Sequence, residues 1–316
     1  MSGQTQHKVR LLRIGEEADA QRIDNFLQRH LKGVPRSHIY RLLRSGQVRV
    51  NGKRIKQHFR LSVGDEVRIP PVRTAQAAAP GKLTDQQRQL LNDSIVFEDK
   101  TLLVMNKPSG IAVHGGSGIS LGIIEQLRLL RPEEKGLELA HRLDRATSGL
   151  LMIAKRRSAL RTLHALQREN RIRKSYLALV QGDWPENRMR VDVPLRKNQL
   201  RGGERIVTVD EEGKTALTLF RIKEQFREAM LVEAELGSGR THQIRVHAAH
   251  LGTPIIGDDK YGDSEVNRHY RQLGLKRLFL HAWKLAFEWG EEGKMLKLTA
   301  PLEPALEELL TKLRVA

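Results

Sequence analysis

Apolar positions along this chain follow two rhythms. In the first, Ile23, Phe26, Leu27 and Leu31 recur every three or four residues, with Arg22, Arg29 and Lys32 on the other side. That spacing predicts an amphipathic helix over residues 18–32. Gly33, Val34 and Pro35 break it. Ser37 then offers a cap for a second helix that turns Ile39, Leu42 and Leu43 inward and stops at Gly46. Residues 48–50 and 53–56 flank Asn51-Gly52, the pair that favours a tight hairpin, and residues 63–71 (VGDEVRIPP) supply a further turn and strand.

Residues 72–93 drop this pattern for Ala, Gln, Pro and Gly, which reads as a linker ending in a short helix. From Ser94 the second rhythm takes over. Short apolar runs bounded by turn residues predict strands over 95–98, 102–106, 150–154, 174–180, 215–222, 229–235 and 278–289. Helices are expected over 121–130, 156–170 and 304–313, and a basic loop or irregular ribbon over 188–205. The C-terminal strand and helix read as scaffold. The expected organisation is therefore a unit at 18–71, a linker at 72–93 and a larger α+β unit at 94–316.

Composition narrows the chemistry. The 316 residues contain no cysteine, which excludes disulfides, thiolate catalysis, iron–sulfur clusters and Cys-ligated zinc. Lys and Arg number 55 against 37 acids, a net charge of +18 that predicts a polyanionic partner held through phosphates. The N-terminal residues lack an apolar signal core and no apolar run approaches the roughly 20 residues of a membrane span. A cytoplasmic location without membrane association is expected.

Residues 140–151 (AHRLDRATSGLL) carry the densest chemistry. His141, Arg142, Asp144, Arg145, Thr147 and Ser148 share one connection between apolar runs. Arg142 and Arg145 beside Asp144 favour its ionised form. It reads as a poised nucleophile or base, or as a turn aspartate paired with a neighbouring arginine. Tyr176, among apolar residues, is a core tyrosine or a ring for stacking on a base. Residues 237–247 (GSGRTHQIRVH) form a second dense motif, in which Ser238 or Thr241 can cap a helix. His242, His247 and His250 do not have metal-binding spacing, so no metal is expected, and Arg240 and Arg245 are the better functional candidates. The glycine-rich stretch 114–118 reads equally as a turn or as a phosphate contact. Ser148, His141 and Asp144 lie too close in sequence for a catalytic triad. One carboxylate facing RNA suits a cofactor-free rearrangement at a glycosidic bond.

Two resemblances follow. RIDNFL, SHIYRLLRSGQVRVNGKRIK and VGDEVRIP resemble, in order and spacing, the S4 RNA-binding domain. This implies RNA contacts from Arg36, Arg41, Arg44, Arg49 and Lys53. HRLDRATSGLL, KSYLALV and GRTHQIRVH, preceded by NKPSG and GIAVHGG, resemble the RluA family of RNA pseudouridine synthases over essentially the whole chain. The S4-bearing architecture and the GDEVRIPPVR junction are similar to those of its large-subunit ribosomal RNA branch. The resemblance implies a mixed, mainly antiparallel sheet flanked by helices. It also implies isomerisation of uridine in 23S ribosomal RNA; separately, no cofactor is expected, and the protein is expected to be a monomer.

Asp144 then falls on the essential aspartate. Attack on the base, attack on the sugar and removal of a sugar proton all stay open. Tyr176 falls on the tyrosine packed against the target base, Arg245 on the partner of the carboxylate and Ile244 on the pocket wall. Arg142 falls on the arginine that fills the place of the flipped nucleotide, and His141 and Arg240 are taken as further substrate contacts. Two other expectations compete: a non-catalytic RNA-binding or ribosome-assembly protein, and the same chemistry on transfer RNA.

Overall fold

The two rhythms end in two separate cores. A computed structural model describes residues 9–31, 34–72, 82–115, 121–184, 186–199 and 205–315. These fall into two compact units that part between Lys82 and Leu83.

In the first unit, β1 (Arg10–Arg13), from residues without a strand-like pattern, precedes helices α1 (Ile23–His30) and α2 (Arg36–Arg44). Strands β2 (Arg49–Val50), β3 (Lys53–Arg54) and β4 (Glu66–Ile69) follow. The sheet order is β1-β4-β2-β3, and the helices bury Ile23, Phe26, Leu27, Ile39, Leu42 and Leu43 against Val48, Val50, Val67 and Ile69. Each such side chain contributes about 1.5–3 kcal/mol on leaving water. Asn51 and Gly52 both have positive φ, 49° and 73°, as the predicted two-residue hairpin requires. The cap of α2 differs from expectation. Pro35 stands at the N-cap with no side-chain cap, and Ser37 lies inside the first turn, because the fixed φ of proline already sets the entry to the helix.

The second unit opens with α3 (Asp85–Asp93), closed at its start by a Thr84–Gln87 capping box, and its Leu91 joins the core of this unit. There follow β5 (Ile95–Glu98), β6 (Leu102–Lys107), α4 (Ile123–Leu130), β7 (Glu138–Leu139), β8 (Ser148–Ala154) and α5 (Arg157–Arg168). Next come β9 (Arg173–Gln181), β10 (Arg188–Asp192), β11 (Leu195–Gln199), β12 (Arg205–Val209), β13 (Leu217–Gln225) and β14 (Ala229–Leu236). Then α6 (Gln243–His250), α7 (Ser264–Gln272), β15 (Leu280–Trp289), β16 (Lys294–Thr299) and α8 (Pro304–Arg314) complete the unit.

Among the described residues the main sheet runs β10-β13-β14-β9-β15-β8-β6-β5, with β16 on β15 and β7 on β8. Every pairing in it is antiparallel except β15 with β8. Of the basic stretch expected to be irregular, residues 200–204 lie outside the described residues, and the described part is regular: β10 is an edge strand, and β11 pairs with β12 as a separate ribbon. Its alternation was masked by arginines on the solvent side.

Side chains alternate faces along the central strands. Leu103, Met105, Leu151, Ile153, Tyr176 and Ala178 meet α4 and α6 on one side. Leu102, Val104, Leu150 and Met152 meet α5 on the other, where Leu177 and Leu179 meet α8. Helices on both faces bury all seven residues of β8. Among the described residues no helix is long and apolar enough to cross a membrane.

Candidate active site

The loop 141–147 leads into β8, and its position follows from Gly149. There φ is +108°, and an added Cβ would lie 2.3 Å from the carbonyl oxygen of Ala282. Only glycine lets β8 run parallel to β15 at this approach. The NKPSG segment straps the loop down. The fully buried Lys107 donates from Nζ to the carbonyls of Pro108 and Ile111 at 2.8 and 3.0 Å, and to that of Arg145 at 3.4 Å. Burial, and then the charge of Arg277, push its pKa to about 7. Arg145 Nε donates to the Gly110 carbonyl and Gly110 N to the Arg145 carbonyl, both at 2.8 Å. Ser109 Oγ donates to the Ala146 carbonyl.

Arg145 is therefore spent on the backbone and Arg142 is exposed. The cation beside Asp144 comes instead from α6: Arg245 Nη1 stands 3.5 Å from Asp144 Oδ2. Arg245 is itself gripped by a carboxylate that the sequence reading missed. Its Nε and Nη2 reach the two oxygens of Asp258 at 2.7 Å each, and Asp258 Oδ1 also accepts the amides of Lys260 and Tyr261. Burial alone would raise Asp258, but the Arg245 hydrogen bonds and charge outweigh it and hold the carboxyl below its ordinary value. The Arg245 guanidinium also lies over the Tyr261 ring, 5.0 Å from its centroid. His242 completes the surroundings, with Nε2 3.6 Å from Asp144 Oδ2 and Nδ1 2.8 Å from the Tyr261 hydroxyl.

Asp144 opens into a cavity of about 300 Å³. Tyr176 from β9, Ile244 from α6 and Leu280 from β15 form apolar walls, and Arg142, Lys174, Arg240 and Arg245 supply positive charge. Burial raises the Tyr176 phenol, and the charge of Asp144 adds to it, so the hydroxyl stays protonated. Burial lowers Lys174 to about 8, with Nζ held by Gln167 Oε1 at 2.9 Å. Arg240 is anchored through Nε to the Thr215 carbonyl. His141 lines the same cavity, but its Nε2 accepts the Met152 amide at 3.0 Å, and burial holds it well below its usual pKa. Its ring is thus neutral and committed to β8.

Neither Ser238 nor Thr241 caps α6. The N-cap is His242 in a left-handed conformation, φ 54°, and the Gln243 side chain ties the turn together through Ser238 Oγ and the Arg240 amide. Ser148 pairs with His281 instead of His141, Oγ to Nδ1 at 2.8 Å, and Arg277 donates to the same hydroxyl. Burial takes His281 to about 4, and Ser148 and His281 are both fully enclosed. Arg277 is also paired with Glu303, so the tail read as scaffold braces the back of the loop. The described part of the glycine-rich stretch is occupied internally, since Glu125 accepts the amides of Gly115 and Gly122. Residues 116–118 lie outside the described residues. Among those described, no group of three or more His, Asp or Glu stands where it could hold a metal ion.

In the first unit, Arg36, Arg41, Arg44, Arg49 and Lys53 are all exposed. Arg36 is partly committed, to the Tyr40 hydroxyl at 2.9 Å and to Asp24 at 3.4 Å, and Arg49 to the carbonyls of Gly46 and Gly52.

The family model for RNA pseudouridylate synthase matches residues 101–250, and that for the S4 domain residues 21–67. The chain is 53% identical over 307 residues to ribosomal large subunit pseudouridine synthase C of Pasteurella multocida, covering 97% of this chain and 94% of that one. It is 52% identical over 311 residues to the protein of the same name from Escherichia coli K12, covering 98% of each. Among solved structures, human RNA pseudouridylate synthase domain containing 4 aligns with a TM-score of 0.60 at 27% identity, covering 73% of this chain and 98% of that chain. Half-identity across nearly the full length of both chains, on a sheet that folds as those enzymes do, makes this protein a member of the RNA pseudouridine synthase family that carries an S4 domain.

Proposed function

We propose that this enzyme isomerises particular uridines of large-subunit (23S) ribosomal RNA, with Asp144 as the reacting carboxylate. One observation carries the reading: Asp144 is the sole carboxylate among the residues lining the cavity, and it stands between apolar walls and fixed cations. The names of the relatives from P. multocida and E. coli support the choice of RNA.

The reaction breaks the N1–C1′ bond, turns the uracil, and joins C5 to C1′, with the C5 proton lost and N1 protonated. A stacked base offers neither atom freely, so the nucleotide enters the cavity flipped out. Single-stranded loops are the accessible targets, since an A-form duplex hides its base edges. Tyr176 and Ile244 bound the uracil. Arg245 orients Asp144, and Arg142 at the mouth occupies the place that the nucleotide leaves. Asp144 serves as a nucleophile or as a base toward the sugar. His141 and Arg240 shape the cavity from its rim. The exposed S4 cations hold flanking phosphates. The enzyme is proposed to act as a monomer in the cytoplasm.

Release of tritium from RNA labelled at uridine C5 tests the reading directly. Asp144→Asn is expected to lower release by at least about a thousandfold while the Kd for RNA stays within about threefold. Turnover retained in that variant contradicts the role of Asp144. Release from transfer RNA but not from large-subunit RNA contradicts the substrate.

A further inference from the structure

Asp144 Oδ2 faces two groups, the Arg245 guanidinium at 3.5 Å and the His242 imidazole at 3.6 Å. His242 sits at the start of α6 with φ 54° and ψ 19°, a conformation that is costly for a residue with a Cβ. From there its ring bridges Asp144 and Tyr261, and the two rings meet edge to face.

The third partner sets the direction of the proton. The Val207 amide donates to the Tyr261 hydroxyl at 3.0 Å. The hydroxyl still has its own proton to give, and we assign His242 Nδ1, 2.8 Å away, as the acceptor of that proton. A neutral imidazole that accepts at Nδ1 carries its proton on Nε2, and Nε2 is the atom facing the carboxylate. Burial, Arg245 and Lys260 lower the pKa of His242 against the pull of Asp144 and Asp258, which keeps the ring neutral. With that assignment, a line of donors runs from the β12 backbone through Tyr261 to His242, whose Nε2 faces Asp144.

We propose that His242, locked by Tyr261 in its Nε2–H tautomer, is a positioning residue that clamps Asp144 Oδ2 together with Arg245 and leaves Oδ1 turned to the target nucleotide. The clamp rests on the reading of Asp144 as the reacting group. Its 3.6 Å gap closes to a hydrogen bond when RNA fills the cavity, as catalytic contacts often tighten on binding.

The test uses the full-length enzyme labelled with ¹⁵N-histidine. Two-bond proton–nitrogen spectra at pH 8, with His242 assigned by its loss in His242→Leu, are expected to show the Nε2–H form. Tyr261→Phe is expected to mix the tautomers and to slow single-turnover product formation about tenfold, and His242→Leu to slow it by at least that factor. His242→Gln, whose amide offers a donor near the Nε2 position, is expected to recover to within about threefold, with the Kd for RNA unchanged within about twofold throughout. An Nδ1–H or doubly protonated His242 in the wild-type spectrum overturns the proposal. So do full rates in Tyr261→Phe and His242→Leu alongside an inactive Asp144→Asn. An active Asp144→Asn sinks the reading of Asp144 and the clamp with it, whereas failure of the clamp alone leaves Asp144→Asn inactive.

Discussion

Each unit buries one aspartate under an arginine and a tyrosine, and the two clusters do different work. In the S4 unit, Asp24 is fully buried and takes Arg22 through two hydrogen bonds, at 3.1 and 2.8 Å, with Tyr40 and Arg36 behind. In the catalytic unit, Asp258 is equally buried and takes Arg245 through two bonds of 2.7 Å. Arg36 lies over Tyr40 much as Arg245 lies over Tyr261, at 5.3 and 5.0 Å from the ring centroids. The arginines differ in exposure: Arg22 and Arg36 are 40% and 55% exposed, Arg245 only 11%. An exposed guanidinium pinned at its base still presents charge to a polyanion, screened by salt. A buried one, with a spare N–H turned to a second carboxylate, acts at short range in a dry site.

Cutting each pair in turn gives the largest contrast. Asp258→Ala leaves the Arg245 charge buried without its partner, so urea unfolding of the catalytic unit should show a loss of about 3–5 kcal/mol. Product formation should fall by at least about a hundredfold. Asp24→Ala should destabilise the S4 unit and weaken RNA binding, yet leave the rate at saturating RNA within about threefold. Equal rate losses in the two variants would erase the distinction between the clusters.

A smaller effect separates affinity from chemistry. Reversing Arg41, Arg44 and Lys53 to Glu should weaken binding about a hundredfold at physiological salt. It should also flatten the log–log salt dependence by about 2, from some three lost phosphate contacts. The saturated rate should hold. An unchanged salt slope would remove these side chains from the RNA contact.

The smallest effect is the response to acid. Burial would raise both carboxyls, but hydrogen bonds and charge from the arginines leave Asp24 and Asp258 below their ordinary values. A carboxyl lowered in the folded state stabilises above its unfolded pKa, near 4 for Asp, and that stability is lost as pH falls through the folded value. Unfolding free energy should therefore hold from pH 7 to about 5 and decline below about 4. Asp258→Asn should have a shallower decline, and equal slopes for it and the wild type would contradict the assignment.

What the sequence made legible was local. Asp144, Ile244 and Arg245 stand in dense motifs and Tyr176 in the apolar KSYLALV run, and the structure brings all four to one cavity. Periodicity placed α1, α2, α5 and most strands of the main sheet, though not β10 or β16, because each of those it placed buries one face or both. The groups that orient the site were not legible. Asp258 and Tyr261 lie 13 and 16 residues beyond Arg245 in a turn-rich stretch whose pattern marks only a loop. The spacing of His242 invites only a metal reading, whereas the clamp proposed for it runs through Tyr261 to a backbone amide of β12. Arg142 and Arg145, neighbours of Asp144 in sequence, are not its ion-pair partners, whereas Arg245 is. Spacing along the chain reports which face a residue takes, and contacts between strand ends lie outside its reach.

Asp144, set in this basket of fixed charges, is proposed to convert uridine to pseudouridine in large-subunit RNA. The most direct test of this role is mass-spectrometric mapping of pseudouridine in that RNA from cells lacking the gene, complemented with wild type or with Asp144→Asn. Particular sites are expected to vanish on deletion and to return with wild type alone. A map unchanged by deletion, or restored by Asp144→Asn, would contradict it.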